Sequence, residues 1–219
     1  MSDSAPVEAV LVLLVVTDLL LLASSRFRTC IRMAAVQGLA LALLPVLLHG
    51  AEAPGRTWAL AAASGALKGA VFPALLLRIL RDTGARREVE PYVGYTLSIL
   101  AGVGALVFSL WIGDRLGLPG ATPEGGSTLM IPAGMATLLI GLFIIVSRRN
   151  AVSQVLGYIV IENGIYTFGV ALVGGVPMLV ELGVLMDAFV AVFIMSIAAY
   201  HISREFDHVD VDQLDRLKG

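Results

Sequence analysis

The sequence predicts an all-α, polytopic membrane protein with about seven transmembrane helices, its N-terminus outside and its C-terminus in the cytoplasm. Three observations carry this. Of 219 residues, 58% are apolar and 15% charged, against about 25% charged in soluble domains. The apolar residues fall into runs of about 20, the helix length that crosses a hydrocarbon core of about 30 Å. The cations cluster after every second run.

The runs span 7–23, 31–48, 58–80, 92–112, 129–146, 154–174 and 178–200, and each ends at charges, glycine or proline. Inside lipid the backbone must satisfy its own hydrogen bonds, so a spanning segment is a helix or part of a closed barrel. The runs lack the alternation of barrel strands. Arg26, Arg28 and Arg32 follow the first run, and Arg78, Arg81, Arg86 and Arg87 the third. Arg148 and Arg149 follow the fifth, and Arg204, Arg216 and Lys218 the seventh. The alternate loops hold Arg56 and Arg115. Cations mark the cytoplasmic side, which sets the orientation and agrees with an odd number of spans. The Gly-, Pro- and Ser-containing stretch 113–128 reads as an outer loop. It separates four N-terminal helices (1–112) from a three-helix unit (129–202), and a polar tail (203–219) follows in the cytoplasm.

Several function classes drop out. The single cysteine, Cys30, excludes an internal disulfide and any cysteine-ligated zinc or iron–sulfur centre built by this chain alone. There is no phosphate-binding Walker loop, no dinucleotide-binding glycine motif and no H-E-x-x-H. No catalytic site, metal or cofactor is therefore expected in this chain. The acidic N-terminus and the lack of a small-residue cleavage site make the first run a retained helix rather than a signal peptide.

Ionisable residues inside the runs need a reason, because a charge at a helix centre costs about 2.5–3.5 kcal/mol on insertion scales. Lys68, Glu162 and Asp187 fall near the middle of the third, sixth and seventh runs. Asp18 lies nearer the cytoplasmic end of the first, and Glu181 near the outer end of the seventh. These two are either interfacial or part of the same chemistry. Low dielectric disfavours charge on a carboxylate and on an ammonium alike, so both can exchange protons near neutral pH. A proton path is the functional reading, and a static ion pair that holds helices together is the alternative. Tyr158, Glu162 and Tyr166 recur every four residues on one helix face, with Asn163 adjacent. They are candidates to hydrogen-bond the acid or, more blandly, packing groups. Gln37 reads as a helix–helix hydrogen bond, and His49 and His201 as interfacial residues. Gly65 and Gly69 flank Lys68 as a G-x-x-x-G pair that lets a neighbour approach, and Pro73 predicts a kink.

The C-terminal third carries a specific pattern: GLFIIVSRRNAVSQVLGYIVIENG at 141–164, PMLVELGVLMDAFVAVFIM at 177–195 and DVDQLDRLKG at 210–219. It resembles the membrane component E of hydrogenase-4-type complexes, and Lys68 followed by Pro73 fits the same pattern. The last three helices are also similar, more distantly, to the K-type subunit of complex I and the C-type subunit of multisubunit cation/proton antiporters. That family carries a membrane-embedded glutamate on each of its last two helices. Asp187 stands where the second would be, and Glu162 about three residues after the first. The resemblance implies a non-catalytic subunit of an energy-converting complex in the prokaryotic inner membrane. Glu162, Asp187 and Lys68 would be links in a mid-membrane proton pathway, with Tyr158, Asn163, Tyr166, Glu181 and Asp18 in support. The implied partners are antiporter-like membrane subunits, the membrane anchor of a redox arm, nickel–iron hydrogenase-like subunits and the lipid bilayer, with no nucleic acid. The alternatives are a subunit of a cation/proton antiporter or other complex-I-like oxidoreductase, and a purely structural adaptor.

Overall fold

The computed structural model describes residues 4–50, 53–82, 92–116, 127–148 and 150–173. The seventh run, with Glu181 and Asp187, lies outside the described residues, as do His201 and the tail. Every regular element described is a helix, as the continuous apolar runs require.

α1 (Ala5–Ala23) carries Pro6 in its first turn, where no backbone N–H is missed. After a short turn, α2 (Phe27–Ala42) is continued by α3 (Leu44–His49). The break at Leu43 precedes Pro45, which cannot donate to the carbonyl one turn earlier. α4 (Gly55–Ala66) begins after Pro54, passes through a π-helical turn at Leu67–Val71 and resumes as α5 (Phe72–Asp82). The wide turn is closed by the Phe72 N–H donating to the Leu67 carbonyl. It sits just before Pro73, whose missing N–H leaves the Gly69 carbonyl without its α-helical donor. α6 (Tyr95–Leu116) continues three residues beyond the start expected for the outer loop's stretch, and 117–126 lie outside the described residues. α7 (Met130–Ser147) and α8 (Ala151–Val173) complete the bundle.

Among the described residues five helical segments are long and apolar enough to cross a membrane: Ala5–Ala23, Phe27–His49, Gly55–Arg81, Tyr95–Arg115 and Met130–Ser147. They correspond to the first five expected runs. α8, which carries Gln154, Glu162 and Asn163, corresponds to the sixth.

Packing is closest between α7 and α8, which run antiparallel along a seam of four glycines. A Cβ on Gly164 would sit 2.5 Å from the Leu138 amide nitrogen, and one on Gly134 would sit 2.8 Å from that of Phe168. One turn pair further along, a Cβ on Gly141 would sit 2.7 Å from the Ile161 amide nitrogen, and one on Gly157 3.0 Å from the Gly141 carbonyl oxygen. Backbone thus touches backbone, the arrangement small residues allow in membranes. α1 and α2 pack on this pair, and α6 covers its flank with an apolar outer face that includes Leu97, Leu100, Val107 and Trp111.

The interior is layered. One apolar cluster gathers Leu21, Leu22, Phe27, Ile31, Phe72, Ile144 and Val155. A second gathers Val7, Leu11, Leu14, Leu41, Leu44, Met130 and Val170. On α1, α2, α7 and α8 the residues between these clusters include Asp18, Gln37, Thr137, Glu162 and Asn163, all buried. A polar layer lies between two apolar ones.

Candidate functional site

The site begins with the π-helical turn. It carries Lys68, whose side chain is 2% exposed. Gly38 on α2 faces it: a Cβ there would stand 2.5 Å from the Lys68 Cβ and 3.3 Å from its carbonyl carbon. Gly65 and Gly69 face α2 as well, against Ala42 and Leu39. The close approach expected around Lys68 is therefore made by α2, and Gly38 is the glycine that touches the lysine.

The Lys68 ammonium reaches α8. Nζ is 2.7 Å from both oxygens of Glu162. Oε1 is aligned as an acceptor, while Oε2 has no aligned donor among the described residues. Nζ also donates to Asn163 Oδ1 at 3.3 Å and lies 4.9 Å from the centre of the Tyr166 ring. The ring face adds a favourable electrostatic contact for the cation. Thr167 fixes the local backbone by donating to the Asn163 carbonyl at 2.8 Å. Tyr158 packs against the first apolar cluster.

From Asn163 the polar layer continues sideways. Asn163 Nδ2 donates to Gln37 Oε1 at 3.5 Å, and Gln37 Nε2 donates to Asp18 Oδ1 at 2.7 Å. Thr137 Oγ1 donates to the other Asp18 oxygen at 2.7 Å. Asp18, Gln37, Thr137 and Asn163 are all fully buried. α1 turns the Asp18 acid into the bundle, between α2 and α7. Gln37 makes the expected helix–helix bond, and it joins α1 and α8 at once.

The structure thus brings together Lys68, Glu162, Asn163, Tyr166 and Asp18 from the expected set. Asp187 and Glu181 lie outside the described residues. Sequence reasoning missed Thr137, because a lone threonine in an apolar helix carries no signal. It also missed Arg148, counted above as a cytoplasmic loop cation. Arg148 is buried and donates from Nη2 to the Leu22 carbonyl at 3.0 Å, with its guanidinium 5.4 Å from the Tyr95 ring. A cation on the last carbonyls of α1 suits both the orphan acceptors and the helix dipole. Asn150 starts α8 by accepting from the Val152 N–H at 3.4 Å, and the Tyr92 N–H closes α7 at the Ser147 carbonyl at 2.8 Å. The S-R-R-N stretch therefore ends one helix, seals a second and starts a third. No group of three or more potential metal ligands occurs among the described residues.

Fold and site together define a multi-pass all-α membrane protein whose centre holds an ion pair joined by two amides to a second acid. An uncharacterised protein of Mycobacterium tuberculosis is 33% identical over 207 residues, covering 94% of this chain and 92% of that protein. Hydrogenase-4 component E of Escherichia coli is 26% identical over 219 residues, covering 100% of both chains. The family described as NADH-ubiquinone/plastoquinone oxidoreductase chain 4L matches residues 129–219. No solved structure matches. The chain belongs to the family of the mycobacterial protein and is a homologue of hydrogenase-4 component E over its full length.

Proposed function

We propose that this chain is a non-catalytic membrane subunit of a complex-I-like, hydrogenase-4-type energy-converting complex, and that Lys68 and Glu162 form a protonatable link in its proton pathway. Family membership supports the assembly, and one observation supports the chemistry: an ammonium and a carboxylate 2.7 Å apart in the buried centre of a membrane bundle. Such a pair is costly to place in lipid, and intramembrane ionisable groups generally mark ion pathways. A charge arriving nearby can move a proton across that 2.7 Å contact. The apolar layers on either side of the polar one oppose leakage straight across the membrane and leave lateral passage along the layer. On the resemblance, Asp187 is the next acid along that path. The charge count orients the chain with its C-terminus in the cytoplasm of a prokaryotic cell, in the inner membrane. Antiporter-like subunits and the anchor of a redox arm would be its neighbours there.

The test is co-purification in mild detergent with mass spectrometry of the intact assembly, followed by proton translocation in the Glu162→Gln complex. Recovery with hydrogenase-like and antiporter-like subunits, and lost translocation at normal complex levels, is the expected result. Normal translocation by that variant would leave the pair a structural one, and recovery without partners would remove the assembly.

A further inference from the structure

The Lys68–Glu162 pair does not account for Asp18. This acid is fully buried, and both its oxygens accept 2.7 Å hydrogen bonds from neutral donors. The only cation tied to it by hydrogen bonds among the described residues is Lys68, and the tie runs through two amides. Lys68 donates to Asn163, Asn163 to Gln37, and Gln37 to Asp18. Every donor points the same way. The ends dictate this: an ammonium can only donate, and an ionised carboxylate can only accept, so each amide between them has one orientation. Hydrogen bonds aligned in series polarise one another, more strongly in a low dielectric.

We propose that Asp18 is a second charge-storing carboxylate of the same pathway, coupled to the Lys68–Glu162 pair through the Asn163 and Gln37 amides. This rests on the proton-path reading for its function, though not for its geometry. The amides carry no proton, because an amide N–H is a very weak acid. They transmit charge. When Lys68 is held by Glu162, its pull on Asn163 is shared; when Glu162 is neutralised, the ammonium leans on the amide chain and favours negative charge at Asp18. A proton arriving at Asp18 settles on Oδ2 and donates to Thr137 Oγ1. The threonine hydroxyl then turns to a backbone carbonyl one turn earlier, a bond that helical threonines commonly make. No other group has to move. The path so defined runs laterally from α8 through α2 to α1, within the polar layer.

The test reads the infrared carboxyl bands of the purified whole complex with isotope-labelled aspartate. The band lost in Asp18→Asn belongs to Asp18. In Glu162→Gln this band should move from its wild-type position, and adding Gln37→Met should abolish the displacement. An Asp18 band that stays in place in Glu162→Gln, or moves equally with and without Gln37, overturns the proposal. Should Glu162→Gln fail to assemble, Lys68→Met with Glu162→Met removes the pair without leaving a lone charge; should Gln37→Met fail, Asn163→Leu cuts the chain one link earlier. Wild-type turnover supplies an arm that needs no relay variant: the Asp18 and Glu162 bands must change together, and a silent Asp18 band overturns the coupling. If Glu162→Gln translocates normally while the Asp18 band moves, the proton-path reading fails and the coupling stands. If translocation is lost and the band stays, the coupling alone fails.

Discussion

Removing one member of the Lys68–Glu162 pair should harm the protein more than removing both. The Nζ atom lies 2.7 Å from either carboxylate oxygen, and the two side chains are 2% and 7% exposed. Glu162→Gln leaves a buried ammonium facing a neutral amide, a loss of about 3–5 kcal/mol for breaking a buried pair. Lys68→Met with Glu162→Met substitutes apolar chains of similar length, which by itself is often neutral. It still strips Asn163 Oδ1 of its 3.3 Å donor, and an unsatisfied buried acceptor costs about 1–3 kcal/mol. The double variant should therefore be the more stable of the two by about 2 kcal/mol. At about 2–4 °C per kcal/mol for a chain of this size, the single variant melts about 10 °C below wild type and the double about 5 °C. Thermal unfolding of the complex in mild detergent, followed by size-exclusion chromatography, reads this order. A double variant that melts at or below the single one would refute an electrostatic account of the pair. Translocation should be lost in both, so stability and transport separate.

Three further outcomes follow from packing. Gly164→Ala places a Cβ 2.5 Å from the Leu138 nitrogen and 2.8 Å from the Gly134 carbonyl, where backbone cannot give way, so α7 and α8 should part at a cost of about 1–3 kcal/mol. Gly169→Ala, on the same helix with no atom of the described residues within 4 Å, should instead gain up to about 1 kcal/mol of helix propensity, and the pair of melting temperatures checks both signs. Arg148→Lys should not replace arginine: a lysine lacks the planar fork that spans the Leu22 carbonyl and the Tyr95 ring, so a loss of about 1–2 kcal/mol is expected, read as lower recovery of folded chain after heating.

Much of the fold was legible because lipid imposes a length rule, and the apolar runs obey it. Their ends were less so. Hydropathy measures fitness for lipid rather than for helix, so Arg28 and Thr29 hid the first turn of α2, and the cap at Asn150 starts α8 three residues ahead of its apolar run. Lys68 and Glu162 stood out as expensive residues, yet their pairing spans 94 positions of sequence and is decided by how helices cross. For Asp18, distance to the helix end left two readings open, and its hydrogen bonds to α2 and α7 depend on how the helices cross. The glycine seam was in principle readable, since Gly134 and Gly141 repeat the seven-residue spacing of Gly157 and Gly164. The π-helical turn had one local sign, Pro73, which says that a hydrogen bond is lost but not how the chain rearranges around the loss.

The division of the chain into an N-terminal helix set and a C-terminal unit acquires a physical meaning at the site. The chain-4L match covers 129–219, which supplies Glu162, Asn163 and Thr137. The lysine that neutralises Glu162, the amide that extends the chain of hydrogen bonds, and the second acid all come from helices before it: Lys68, Gln37 and Asp18. The charged form of an acid on α8 left alone in lipid is costly. Lys68 makes charge possible at that position, and Gln37 connects it to Asp18 on α1. The N-terminal helices are therefore part of the electrostatics of Glu162 rather than a scaffold beside it. Gly38 shows how tightly the two halves are bound: only a residue without a Cβ lets α2 close on Lys68 and hold Gln37, one residue earlier, between the two acids.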